Sequence, residues 1–183
     1  MSPDWPIETS RLTLRPFVDD DFEAFHAMHS DEEVARYLFG ERRSPAESRD
    51  LLARKIASSS WANEGDWLGA AVVERESGIT VGDLSLQWVS ERDRTAEIGF
   101  IFDPRHQGKG FATEAARGLL DWAFGTAGLH RVIARTEARN SASSRVLEKL
   151  GLRLEAHLVE NEWVKGEWQS ELDYAILDRE WTT

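Results

Sequence analysis

One stretch restricts this chain more than any other: Glu97-Ile-Gly-Phe-Ile-Phe-Asp-Pro-Arg-His-Gln-Gly-Lys-Gly-Phe-Ala-Thr-Glu-Ala115. It reads as a β-rich run over 96–102 that stops at Asp103-Pro104. A glycine-bearing loop follows, then an amphipathic helix with Ala116, Leu119, Leu120 and Ala123 on one side. The first N–H groups of a helix have no intrahelical acceptor, and the helix dipole favours an anion beside them. Gly108 and Gly110 let the backbone approach a ligand where a Cβ would collide. The segment is therefore built like a cradle for linked phosphates. It is neither of the common nucleotide loops: a P-loop needs GxxxxGK[ST], and the dinucleotide fingerprint needs GxGxxG. Here Gly108-Lys-Gly110 runs on into Phe, Ala and Thr.

The rest of the chain supplies further strands and helices around this unit. Arg11-Leu-Thr-Leu-Arg15 alternates and ends at Pro16. Asp20 or Asp21 is placed to cap a helix through Phe22, Phe25 and Met28, and Ser44-Pro45 with Glu47 opens a longer one through Leu51, Leu52 and Ile56. Strand-like runs occupy 67–73 and 81–89, and another follows at 130–138. Asn140 caps a short helix with Val146, Leu147 and Leu150 inward and Gly151 at its C′ position. Two last strands, about 153–163 and 168–177, meet at Lys165-Gly166, a hairpin turn signal. This order predicts an α/β (or α+β) mixed sheet with helices on both faces. With 183 residues and no linker or repeat, the chain fits one domain.

Composition narrows the function classes. No cysteine is present, which removes disulfides, thiolate metal sites and a cysteine nucleophile, and fits a reducing cytoplasm. The opening residues lack the basic and apolar segments of a secretion signal, and no apolar run reaches the roughly 20 residues of a membrane span. A soluble cytoplasmic protein is expected. The formal net charge of -11 disfavours nucleic-acid binding and suits a cationic partner such as an amine, although solubility alone also explains it. His26 and His29 are three apart but lack a third ligand, so no metal site is expected.

Gln107-x-x-Gly110-x-Ala112 resembles the [Q/R]-x-x-G-x-[G/A] signature of the GNAT acetyltransferases. Asn140-Ser-Ala-Ser143-Ser-Arg-Val-Leu-Glu-Lys-Leu-Gly151 resembles that family's second block, and Thr9-Ser-Arg-Leu-Thr-Leu-Arg-Pro16 is similar to the start of its RimJ/RimL branch, which acetylates ribosomal-protein N-termini. The resemblance implies a single domain over 1–183, with its core at about 8–178. It further implies a mixed, mostly antiparallel sheet of about seven strands with helices on both faces. Acetyl-coenzyme A is the implied co-substrate and a primary amine the acceptor, with no metal. Phe100, Ile101 and Phe102 would offer backbone to the pantetheine arm. Gln107, Gly108, Lys109, Gly110, Phe111, Ala112 and Thr113 would receive the pyrophosphate, and Asn140 would touch the arm again. Arg105, His106, Lys109 and Arg117 are cations expected around the loop.

Amine attack on a thioester needs a neutral nucleophile, a donor to the oxyanion and a donor to the departing thiolate. A backbone N–H around Phe100 to Phe102 suits the oxyanion. Many members of the family place a Tyr seven residues after the Asn as thiolate donor, and here that position is Leu147. The branch resemblance points instead to Ser143, whose alternative is local bonding to the helix cap. Glu162, by resemblance to the branch, and Glu97, where the resemblance to other family members implies a base, are the candidate proton acceptors, with a surface glutamate as the plain alternative for each. Glu160 is expected on the face of Glu162 by alternation. Trp88, Trp163 and Trp168 either wall the acceptor pocket or belong to core or homodimer packing. A protein N-terminus, a polyamine, an amino acid and an aminoglycoside-like antibiotic all remain open as acceptors. So does a non-catalytic module of this fold that binds or senses acyl-coenzyme A.

Overall fold

A computed structural model describes residues 2–38, 40–58 and 61–182. The first strands are β1 (Ile7–Glu8) and β2 (Leu12–Arg15), followed by helices α1 (Phe22–Ser30), α2 (Glu32–Ala35) and α3 (Pro45–Ala57). Strands β3 (Trp67–Glu74), β4 (Thr80–Ser90) and β5 (Thr95–Phe102) come next, then α4 (Phe111–Gly125), β6 (Arg131–Glu137) and α5 (Ser141–Lys149). Strands β7 (Arg153–Val164) and β8 (Glu167–Leu177) complete the order. Among the described residues eight strands join one sheet, β1-β2-β3-β4-β5-β6-β8-β7. Every pairing is antiparallel except β5 with β6, which the crossover through α4 makes parallel.

The parallel pair is short. It holds Thr95, Ala96 and Glu97 against Arg131, Val132 and Ile133, and then stops, although β5 runs on to Phe102 and β6 to Glu137. The two strands part in the middle of the sheet. This seam positions the site.

Helix α4 buries Ala115, Ala116, Leu119, Leu120 and Ala123 against Ala96, Ile98, Val132, Ala134, Tyr174 and Ile176. Removing Leu119 and Leu120 from water contributes about 1.5–3 kcal/mol each. The other face of β3 and β4 carries α1 and α3, with Phe17, Phe25, Leu52 and Ala71 packed together. There the buried Asp83 accepts from Lys55 Nζ (2.7 Å) and lies 3.0 Å from His29 Nε2. Helix α3 has the expected start: Ser44 and Glu47 cap each other reciprocally, with Pro45 at the first position. His26 Nδ1 lies 2.9 Å from Ser48 Oγ.

Gly82 stands beside Phe102 in the β4–β5 register, and a Cβ there would come within 2.6 Å of the Phe102 ring. Gly82→Ala should therefore lower stability by about 1–3 kcal/mol through overpacking. Since Phe102 also lines the cleft described below, coenzyme A affinity should fall in the same variant. Thermal melting and calorimetry check both.

The mixed, mostly antiparallel sheet is the expected one; among the described residues Ile7–Glu8 adds an eighth strand, a two-residue pairing too short to carry a sequence pattern. Two local expectations need correction. Asp21 occupies the N-cap of α1 but makes no capping bond. Its carboxylate instead accepts two bonds from Arg15 (2.8 and 2.9 Å) and one from Thr80 (2.7 Å). Glu160 does not alternate with Glu162. Residues 159, 160 and 161 bulge opposite Ser170 alone, Glu160 adopts φ +50°, and its N–H donates to the Ser170 hydroxyl.

Candidate active site

A cleft of about 390 Å³ enters at the seam. One side is formed by Phe100, Ile101 and Phe102 at the end of β5, and the floor by Gln107, Gly108, Gly110, Phe111, Ala112 and Thr113. Helix α5 adds Asn140, Ser143, Arg145 and Lys149, while Glu33, Val34, Tyr37 and Leu38 close the far side. Eleven of the fourteen residues named from the sequence thus come together; Lys109, Glu97 and Glu162 do not line the cleft.

The floor owes its shape to local chemistry. Asp103 caps the turn after β5 through Arg105 N–H (2.9 Å), and Gln107 Nε2 donates to Phe102 O (3.0 Å), fixing the loop to the strand end. Gly108 (φ +75°) and Gly110 (φ +83°) adopt the left-handed conformation, and Gly110 is the N-cap of α4. The N–H groups of Gly110, Phe111, Ala112 and Thr113 are those that helix geometry leaves without an intrahelical acceptor. Arg11 holds the loop from behind: its Nη1 donates to Lys109 O (3.0 Å) and its Nε to Glu114 (2.7 Å). Thr9 and the Arg11 backbone N–H also donate to Glu114, both at 2.7 Å. Burial works against ionisation of Glu114, but these donors overcome it and hold the carboxyl below its usual range. The Lys109 carbonyl is thus committed to Arg11, and the residues carrying the free helix-start N–H groups line the cleft.

The cations divide differently from expectation. His106 lines the cleft. Arg105, however, is committed to Asp103 (2.6 Å), and Arg117 lies over the Trp181 ring, at a second cavity beside β1. Arg145 and Lys149, one helical turn apart, supply positive charge that loop-centred reading missed.

In α5, Asn140 Oδ1 accepts the backbone N–H of Ser143 (3.1 Å). The cap is therefore satisfied by the Ser143 main chain. Its hydroxyl makes no hydrogen bond among the described residues, and Ser143 lines the cleft. Leu147 is buried in the core, and Tyr37 is the phenol on the cleft wall. That wall is tied down from the β7–β8 turn, where Lys165 Nζ donates to the carbonyls of Ala35 and Leu38 (the latter at 2.8 Å).

The sheet face opposite α4 and α5 carries the acids. Glu97 is held by Arg135 through two bonds (3.0 and 3.1 Å). Glu162 pairs in register with Gln169, which puts it on the face of Glu171 and Asp173. Glu171 is 3% exposed, and its Oε2 has no partner among the described residues. Burial pushes its carboxyl above the usual range; Arg135 opposes this, while Asp173, Glu162 and Glu97 add to it. The alternation Gln169, Glu171, Asp173 was visible in the sequence, but its burial was not. Trp163 and Trp168 pack edge to face across the hairpin (5.3 Å) and remain largely exposed. Trp88 stacks on Trp61 (4.6 Å) against the core. Among the described residues no group of acids and histidines is placed to hold a metal ion, and no helix is long and apolar enough to cross a membrane.

A sheet parted beside a glycine-turned helix start is the architecture of an acyl-coenzyme A-dependent transferase, and residues 11–153 match the model of the acetyltransferase (GNAT) domain: the chain belongs to that family. It is 33% identical to the uncharacterized N-acetyltransferase YnaD of Bacillus subtilis, covering 96% of this chain and 98% of that protein. The solved GNAT-family acetyltransferase of Bacillus anthracis superimposes with a TM-score of 0.86 at 31% identity, over 96% of this chain and 99% of that one. Spermidine N-acetyltransferase from Vibrio cholerae, solved with coenzyme A and spermine, superimposes at 0.80 with 27% identity, over 93% and 98%. The protein is an acetyl-coenzyme A-dependent acetyltransferase of the GNAT type.

Proposed function

We propose that the protein transfers acetyl from acetyl-coenzyme A directly to a primary amine within a ternary complex, in the cytoplasm. The observation that carries this reading is the cleft itself. It runs from an anion-accepting helix start and Ser143 to a wall bearing Tyr37 and Glu33, beside a sheet face rich in carboxylates. A cationic acceptor fits that face, whether a protein N-terminus, as in the RimJ/RimL branch, or a small amine, as in the spermidine acetyltransferase.

The co-substrate supplies a thioester carbon open to attack. The chain's own groups do the rest. Unpaired N–H groups at Gly110 to Thr113 receive the diphosphate and Asn140 borders the arm's path. A backbone N–H of Phe100 to Phe102 donates to the developing oxyanion. The Ser143 hydroxyl donates to the departing sulfur, and carboxylates of the Glu97–Glu162 face accept the proton the amine must shed. Exposed Leu158, Val159 and Trp163 on the edge strand β7 favour pairing of two copies there.

The test is free-thiol release from acetyl-coenzyme A across a panel of polyamines, amino acids, aminoglycosides and N-terminal peptides. Turnover with at least one is expected, and Ser143→Ala should lower kcat about 10-fold or more while leaving the KM for acetyl-coenzyme A nearly unchanged. Coenzyme A binding without turnover on any amine would favour the sensing module instead.

A further inference from the structure

The proposed reaction needs a place for a proton, and the carboxylates on the acid face are not equivalent. Glu97 is committed to both nitrogens of an Arg135 fork. Glu137, opposite Glu171 on β6, is committed to Arg139 Nε (2.8 Å) and Arg139 N–H (2.9 Å). Asp103 and Asp83 are likewise engaged by cations. A carboxylate gripped by a guanidinium is a poor proton acceptor, because the ion pair favours its charged form.

Glu171 differs on every count. It is almost fully buried with an oxygen lacking any partner among the described residues, and a buried polar atom left so is costly unless something arrives to use it. Its neighbour Asp173 also has a buried oxygen without a partner among the described residues. The register locates it: Glu171 pairs with Glu137, the last residue of β6, and Asn140 follows three residues later. Projected across the seam, Glu137 lies level with Ile101, four residues past the last β5–β6 pair just as Glu137 is four past Ile133. Glu171 is thus one strand from the gap, on the same sheet face as Glu97 and Ile101, and Ile101 lines the cleft.

We propose that Glu171 accepts, through one water molecule, the proton that the incoming ammonium must lose; this rests on the amine-acetyltransferase reading above. The ammonium gives one proton to the Glu171 carboxylate. The nitrogen lone pair then forms the C–N bond at the thioester carbon. The C–S bond breaks with its electron pair going to sulfur, and the nitrogen's second proton reaches that thiolate to give the free thiol. Glu171 returns its proton to water. The groups facing it are Arg135 and Glu137 from β6, Glu97 from β5, Glu162 from β7 and Asp173 on its own strand. Three of the carboxylates, Asp173, Glu162 and Glu97, raise its proton affinity toward that of an amine, which is the direction proton transfer requires.

Glu171→Gln keeps the shape and removes the acceptor. Its kcat should fall about 100-fold with the KM for acetyl-coenzyme A unchanged, and the acidic limb of the kcat/KM pH profile should disappear. Glu171→Asp should recover part of both. Infrared titration of the free protein should show a protonated-carboxyl band persisting above the range in which ordinary glutamates ionise, which Glu171→Gln removes. A wild type that turns over while Glu171→Gln keeps its rate and limb overturns this inference alone. A wild type that acetylates no amine overturns the parent reading and this one with it.

Discussion

Gly110→Val should weaken coenzyme A binding about 100-fold, which calorimetry on the purified protein would read as a loss near 2.7 kcal/mol. Gly110 is the N-cap of α4 at φ +83°, a conformation that a β-branched residue adopts only at a cost of about 1–3 kcal/mol. The nearest atom to a Cβ there would be Arg11 Nη2 at 3.6 Å, an ordinary contact, so the added Cβ itself collides with nothing. What changes is the backbone. Rotating this residue toward negative φ turns the N–H groups of the helix start away from the cleft and strains the Arg11–Lys109 clamp. Gly110→Ala should fall between the two. Unchanged affinity in Gly110→Val would remove the phosphate cradle from this loop. Because α4 is held by Leu119, Leu120 and Ala123 deep in the core, the fold should survive the change.

Asp83→Ala should cost about 3–5 kcal/mol, the usual consequence of deleting one member of a buried charge cluster. In a chain of this size that lowers Tm by roughly 10 °C. Lys55 and His29 would be left facing a vacated site beneath α1 and α3. The pH dependence has a definite sign. Burial works against ionisation of Asp83, yet Lys55 and His29 overcome it and hold the carboxyl below its ordinary range. A depressed carboxyl stabilises the fold above its unfolded value near 3.8, and that contribution is lost as pH falls through the folded one. Asp21, held low by Arg15 and Thr80 against its burial, acts in the same direction. Denaturant unfolding should show the gap between wild type and Asp83→Ala narrowing only below about pH 4.

Helix α4, its loop and the capped α5 were legible because each carries a local signal: a 3.6-residue apolar period, glycines where φ turns positive, and Asn140 with Gly151 at the ends. The hairpin was legible for the same reason, since Lys165 (φ +52°) and Gly166 (φ +82°) form the turn that their sequence suggests. What escaped depends on residues far apart. Arg11 reads as one position of an alternating strand, and nothing local says that it clamps a carbonyl 98 residues away. The bulge at Glu160 has no glycine or proline to announce it. Helix α2 is four residues long and shows no period. Among the acids the sequence offered Glu162 and Glu97, while the one that loses its water was set by tertiary burial at Glu171.

The early separation of β5 from β6 means that the domain folds with part of its central ladder incomplete. The chain's amides and carbonyls along that margin stay available to any extended guest carrying amides of its own, so such a guest would knit the two halves of the sheet together. Amide hydrogen exchange over 98–102 and 134–137 should accordingly slow when coenzyme A is added, and thermal resistance should climb with its concentration, by about 2.7 kcal/mol at one hundred times the Kd.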